Sequence, residues 1–180
     1  MKYWFVADTH FGQQRTLELS RRPFASVWQM DNIMVDRWNQ TVGAEDTVFH
    51  LGDFGNPTTI GRLNGKTIHL VPGNYDTPDV LQELQRDDRV RVRRKLVVLA
   101  APEVNLPRLH LIHEPERGLD PAAFYLFGHI HQLQMVKRNG LNVGVDCHRF
   151  RPIGLDVVKF YYDAVQQHYD ENVFMEEIGE

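Results

Sequence analysis

Tyr3-Trp4-Phe5-Val6-Ala7-Asp8-Thr9-His10 opens with an apolar run that halts at an acid. A run this short, rich in aromatic and β-branched side chains, reads as a buried strand. Its polar residues follow at once, so they fall just past the C-terminal end of the strand. The pattern recurs along the chain. Residues 47–51 end at Gly52-Asp53, 67–71 at Pro72-Gly73-Asn74, 108–112 at His113, and 124–127 at Gly128-His129. Residues 141–145 end at Asp146, and 155–160 read as a last strand. Residues 90–98 and 108–112 read as a hairpin whose turn is bounded by Pro102 and Pro107.

Helices separate some of these runs. Ser26 can cap a helix, with Gln29 three residues on completing a capping box. Met30, Met34 and Trp38, with Ile33, form an apolar stripe at helical spacing. Thr77 starts a second helix with Pro78 in its first position, and Val80, Leu81 and Leu84 form its buried face. A third helix is expected from Ala164 to near Tyr169. Strands mixed with helices give an α/β layered fold. In such folds ligand sites gather at the C-terminal edge of the strands, where the polar residues fall.

Bulk properties narrow the class. The 180 residues suit one domain, 1–180, with no repeat and no linker. Hydrophobic residues make up 42% and charged residues 24%, a globular mix. With 20 basic and 24 acidic residues the net charge is -4, so no global basic field draws in nucleic acid. One cysteine, Cys147, excludes a disulfide scaffold and fits a reducing compartment. The first apolar run is too short for a signal peptide or a membrane span, so the expectation is a cytoplasmic protein with no membrane association. No obligate protein partner is expected.

Nine histidines are present, and four of them enter the chemistry. Taken singly, Asp8-x-His10, Gly52-Asp53 and Gly73-Asn74 are ordinary turn signals. His113 alone reads as well as a core histidine. Gly128-His129-x-His131 is sharper, because two histidines flanking one residue after a glycine suit a metal cluster. Together the donors are imidazoles, carboxylates and one amide oxygen. That set suits Mn, Fe, Zn, Ni or Co better than Ca or Mg. No cysteine joins in, which argues against a structural zinc site. Seven ligands (Asp8, His10, Asp53, Asn74, His113, His129 and His131) are too many for one ion and about right for two. Two ions roughly 3.5–4 Å apart form the clamp used in phosphoester hydrolysis.

The ordered series resembles the calcineurin-like metallophosphoesterases, from Lys2 to about Leu155. More narrowly, it is similar to the small single-domain phosphoesterases predicted in bacteria and phages. That likeness is carried by Ala7-Asp8-Thr9-His10-Phe11-Gly12, Arg22-Pro23-Phe24, Trp38-Asn39, His50-Leu51-Gly52-Asp53 and Asn142-Val143-Gly144-Val145-Asp146. The resemblance implies a four-layer α-β-β-α sandwich of two mixed sheets flanked by helices. It implies two divalent transition-metal ions, with Mn²⁺ the first choice. One would take Asp8, His10, Asp53 and His131, and the other Asp53, Asn74, His113 and His129, with Asp53 bridging. A hydroxide between the ions would attack phosphorus in line with the leaving oxygen. Asp53, Asn74, His113 and the residue at position 75 would then be catalytic.

Position 75 departs from the pattern. The family usually has His after Gly-Asn, and here the run is Gly73-Asn74-Tyr75-Asp76. A phenol donates a hydrogen bond but is a poor general acid near neutrality. Either Tyr75 binds substrate in place of the His, or catalysis is weak and the protein is a metal-binding scaffold.

Other signals are two-sided. Arg22 could clamp a substrate phosphate or be a surface arginine. Asn39 could bond near the site or simply end its helix. The basic stretch from Arg89 to Lys95 could track a nucleic-acid backbone or be a charged sheet edge. His148, Arg149 and Arg151 could line the cleft rim, while Cys147 reads as a packed thiol. The expected activity is hydrolysis of a nucleotide-like or nucleic-acid phosphodiester. A phosphomonoesterase is the alternative.

Overall fold

The computed structural model describes residues 1–93, 97–99, 104–115, 120 and 122–169. The first sheet has the order β10-β1-β2-β3-β4, built from β1 (Tyr3–Val6), β2 (Thr47–His50), β3 (Thr67–Leu70), β4 (Val90–Val92) and β10 (Ile153–Gly154). Strands β1 to β4 run parallel, and β10 is antiparallel to β1. The second sheet has the order β5-β6-β7-β9-β8, with β5 (Val97–Leu99), β6 (Leu109–Leu111), β7 (Phe124–Phe127), β8 (Val136–Lys137) and β9 (Gly140–Asn142). There β6, β7 and β9 are parallel to one another and the two outer strands antiparallel. These are the two mixed sheets, flanked by helices, that the family resemblance implied.

Strand periodicity divides the core in two. Val6, Val48, Ile68 and Leu70 share one cluster with Met30, Met34 and Trp38 of α2 (Val27–Thr41) and Leu81 and Leu84 of α3 (Pro78–Leu84). Phe5, Ala7, Phe49, Leu51 and Val71 point the other way, onto Leu109, Leu111, Phe124, Leu126 and Leu141 of the second sheet. Successive strand side chains face opposite sides, so both faces of the first sheet are buried. Val35, rather than the half-buried Ile33, completes the α2 stripe. Trp38 is 1% exposed and donates Nε1–H to Asn64 O at 2.9 Å. Trp38→Ala would cost about 3–5 kcal/mol through lost burial and the cavity left behind.

The caps follow the sequence with one refinement. Ser26 Oγ accepts from Gln29 N at 3.2 Å, while Gln29 Oε1 reaches back one residue further, to Ala25 N at 2.6 Å. Thr77 caps α3 and Pro78 opens it. A short helix unforeseen in the sequence, α1 (Gln14–Leu19), follows the first polar loop.

Two expectations are corrected. Residues 155–160 are not a strand but the first half of α4 (Leu155–His168), which absorbs the third expected helix. Val157, Val158 and Phe160 favour strands by type, yet Leu155, Val158 and Tyr162, which pack on the second cluster, and the buried Val165 recur every three or four residues as a helical face. Residues 90–98 do not form one arm of a hairpin. Val90–Val92 pairs in parallel with β3 in the first sheet, and only Val97–Leu99 pairs with β6 in the second. Pro102, placed in the turn, lies outside the described residues. Among the described residues no helix is long and apolar enough to cross a membrane.

Candidate metal centre

Five parallel strands bring their C-terminal ends to one place: β1 leads to Asp8 and His10, β2 to Asp53, β3 to Asn74, β6 to His113 and β7 to His129 and His131. The loops are stitched by backbone bonds: Asp8 N to Gly52 O at 3.0 Å, His10 N to Asp53 O at 2.9 Å, and Gly128 N to His113 O at 2.9 Å. Ala7 N to Val143 O at 3.1 Å and Val145 N to Ala7 O at 3.0 Å tie the two sheets together. Gly52 has φ of 89°, and a Cβ there would lie 2.5 Å from Gly73 N and 2.7 Å from His113 Nδ1. Only glycine permits that approach. Five of the seven candidate ligands are themselves left-handed: Asp8 (φ 57°), His10 (48°), Asp53 (57°), His129 (70°) and His131 (48°). Each such residue costs about 1–3 kcal/mol, and such strain collects at functional sites.

All seven residues converge. Asp8, His10 and His131 form one group with ligand atoms within 4.8 Å of one another, and Asp53, His113 and His129 form another. Asp53 Oδ2 lies between the groups, 3.5 Å from His10 Nε2 and 3.4 Å from His113 Nε2. Asn74 Oδ1 stands 3.0 Å from both His113 Nε2 and His129 Nδ1.

The surroundings aim these atoms. Gln13 Oε1, 2.8 Å from His10 Nδ1, accepts its proton and leaves Nε2 a bare lone pair. Leu51 O accepts from His113 Nδ1 at 2.7 Å and Asp146 Oδ2 from His131 Nδ1 at 2.8 Å, which fixes how each ring is turned. Asp76 accepts from the backbone N–H of Asp53, Phe54 and Gly73 at 2.8, 3.0 and 2.9 Å, clamping the Asp53 loop. Gln13, Asp76 and Asp146 had no role assigned from sequence. The signal for Asp146 was present, since it ends an apolar run just as Asp8 does.

The charges are strained without a cation. Burial raises the Asp8 carboxyl to about 6 and lowers His10 to about 4. Burial also works to lower His113, but the hydrogen bond and charge of Asp53 outweigh it and lift His113 to about 9. Burial would raise Asp53, yet His113 and the Tyr75 N–H hold it below the usual carboxylate range. His10 Nε2 is buried with no hydrogen-bond partner. An orphaned imidazole nitrogen facing a carboxylate oxygen at 3.5 Å is what a divalent cation between them would satisfy. The mixed nitrogen and oxygen donors fit a transition metal.

The structure corrects the readings of Arg22 and Asn39. The Arg22 side chain is fully buried and its donors are committed. It forms a two-pronged pair with Asp146 at 2.9 and 2.8 Å and bonds Thr9 O and Asp8 O at 2.9 and 2.6 Å. No donor is left for a substrate phosphate, so Arg22 holds the first metal loop. Asn39 lies inside α2 rather than at its end and bonds Arg62 O and Asn64 N, both at 2.8 Å. It anchors a loop.

Tyr75 is 45% exposed, its ring edge-on to His10 with centroids 5.6 Å apart. In the basic stretch, Arg89 is spent on Asp87 and the carbonyls of Ile60 and Leu63, and β4 is the edge of its sheet. Arg94 and Lys95 lie outside the described residues. His148 is buried against Asn142 O at 2.7 Å rather than lining a rim. Burial pushes the Cys147 thiol up to about 12, an inert packed group. His50 packs beneath the site, bonded to Thr9 Oγ1 at 2.9 Å.

Comparison with known proteins agrees with this geometry. The model of the calcineurin-like phosphoesterase superfamily domain matches residues 1–147. An uncharacterized protein of Methanocaldococcus jannaschii is 26% identical over 174 residues, covering 87% of this chain and 89% of that protein. The gene 66 protein of Mycobacterium phage L5 is 32% identical over 84 residues, 42% of this chain and 40% of that one. Among solved structures, a protein of unknown function from Aquifex aeolicus superposes with a TM-score of 0.70 at 18% identity, covering 88% of this chain and 98% of the other. That last likeness establishes the fold.

Proposed function

This chain belongs to the calcineurin-like phosphoesterase superfamily, and from that premise we propose that it is a two-metal phosphodiesterase acting on nucleotide-like or nucleic-acid phosphodiesters. The observation that carries the reading is the approach of Asp53 Oδ2, in the group with His113 and His129, to 3.5 Å from His10 Nε2 of the other three-residue group. Asp8, His10, His131 and Asp53 would hold one ion, and Asp53, Asn74, His113 and His129 the other. Mn²⁺ is the first choice, with Fe, Zn, Ni or Co also suited to the donors. When bound, such ions lower the pKa of water and neutralise phosphate oxygens.

The chain's own residues do the rest. Gln13, Leu51 O and Asp146 accept from Nδ1 of three imidazoles and so turn each Nε2 to the site, where a bound cation would take the place of the proton that His113 holds without it. Asn74 offers an amide oxygen between His113 and His129, and Tyr75 stands beside His10 with a phenol that can donate to a phosphate oxygen. A phenol protonates a leaving alkoxide poorly, so esters with stabilised leaving groups turn over best. The site is open at Tyr75, which suits an extended diester.

The test compares bis-p-nitrophenyl phosphate with p-nitrophenyl phosphate in the presence of Mn²⁺. Faster turnover of the diester is expected, and faster turnover of the monoester would make the protein a phosphatase. Tyr75 also motivates a second reading, a metal-binding scaffold without useful catalysis. Binding of Mn²⁺ with no turnover of either ester would establish that reading instead.

A further inference from the structure

One side of the site is not used by the seven candidate ligands. A cleft of about 260 Å³ opens beside His10, His129 and His131. Arg15 and Leu19 of α1 form one wall, the turn at 130–133 forms the other, and Tyr75 borders it. Six large hydrophobic side chains are exposed among the described residues, and three of them line this cleft: Leu19 (69%), Leu133 (85%) and Tyr75 (45%). Packing does not explain Leu19, because α1 buries Thr16 and Leu17 and turns Leu19 outward. Arg15 lies four residues earlier on the same helical face and makes no ion pair among the described residues.

Apolar walls, an aromatic edge and a free guanidinium, set directly against the candidate metal-ligand histidines, match a molecule with matching parts. It carries a phosphate on the histidines, a flat ring on the leucines and tyrosine, and further negative charge for Arg15. Open walls of this kind suit a planar ring, which stacks, better than an alkyl chain, which seeks enclosure. The volume falls just below the roughly 300–1,000 Å³ of drug-sized pockets, enough for one ring system and its sugar but not a stacked pair. We infer that this cleft is a nucleoside subsite, receiving the base and sugar of one nucleotide unit while the adjoining phosphate lies on the histidine groups. The inference rests on the phosphodiesterase reading and narrows its substrate to a nucleotide diester.

The test uses Mn²⁺-loaded protein and three diesters sharing one leaving group: methyl, hexyl and thymidine 5′-(p-nitrophenyl) phosphates. The expected kcat/KM for the thymidine ester exceeds that for the methyl ester at least about tenfold. That ratio falls at least about fivefold in Leu19→Ser/Leu133→Ser and is kept in Trp28→Ser, an exposed position away from the cleft. Titration calorimetry of thymidine 5′-monophosphate gives a second readout, with affinity weakened at least about fivefold by the double substitution. Equal efficiency for the thymidine and methyl esters, or a ratio untouched by the double substitution, would overturn the inference. A preference for the hexyl ester would overturn it in favour of a lipid-like diester. If no ester is hydrolysed, the phosphodiesterase reading fails and calorimetry decides the subsite alone. Weakened binding in the variant then upholds it, and unaltered or absent binding overturns it.

Discussion

The two sheets contribute different chemistry to the same site. The first supplies Asp8, His10, Asp53 and Asn74, which hold all the oxygen donors, and its Asp8, His10 and Asp53 are at most 2% exposed. The second supplies only imidazoles, and two of its three, His129 and His131, are partly open to solvent. The first half is also the more heavily braced, by Asp76 below the Asp53 loop and Arg22 below the Asp8 loop. The second is held mainly through His131–Asp146 and the contact of the His129 N–H with the Asp8 carboxylate, 3.0 Å from each oxygen. A rigid anionic floor and a more accessible imidazole rim divide the labour. One fixes where charge sits, and the other faces solvent. Neither half makes a site until the sheets dock.

Substitutions can break that division, in descending order of effect. Asp53→Asn removes the oxygen shared by both groups. Mn²⁺-dependent diester turnover should fall about 10³-fold, matching several kcal/mol of lost charge stabilisation, and a variant retaining a tenth of wild-type rate would show the floor is not shared. Arg22→Met leaves Asp146 buried without its cation. Denaturation should show a loss of about 3–5 kcal/mol, and an unchanged midpoint would mean that the first loop is braced otherwise. Asp146→Asn keeps the shape but loosens His131. Its Mn²⁺ affinity should drop about 10–100-fold by calorimetry, in the step assigned to the Asp8 group; an equal drop in both steps would erase the distinction between the groups.

A last test concerns His50, beneath the floor. Burial lowers its pKa to about 3, against about 6.5 in an unfolded chain. Its neutral form therefore contributes stability that is fully present above pH 6.5 and is lost as pH falls toward 3. The denaturation midpoint of metal-free protein should fall between pH 7 and pH 4. His50→Gln should flatten that slope, and an equally steep one would place the acid sensitivity elsewhere.

The sequence made the floor and rim visible for one reason. Each candidate ligand follows a short buried strand, and a strand end is written locally, as an apolar run that stops at a polar residue or glycine. The bracing residues were harder to see because their roles depend on distant partners. Asp76 is an ordinary turn acid, bonded to Gly73 N of its own turn, until the fold brings the N–H groups of Asp53 and Phe54 onto it. Arg22 looks like a surface cation until Asp146, 124 positions away, is folded beside it. The misreading of 155–160 has a different origin. Six residues are too few to separate a strand of Val and Phe from the start of a helix, and the period emerges only across all of α4.

The left-handed backbone at Asp8, His10, Asp53, His129 and His131 bears on how portable this site is. Copying seven side chains onto another β-sandwich would not move the chemistry. A host whose loops relax to ordinary right-handed or extended turns would point the same imidazoles and carboxylates elsewhere. What has to be transplanted is the turn geometry, with the glycines that let the loops touch. The side chains can only be grafted after it.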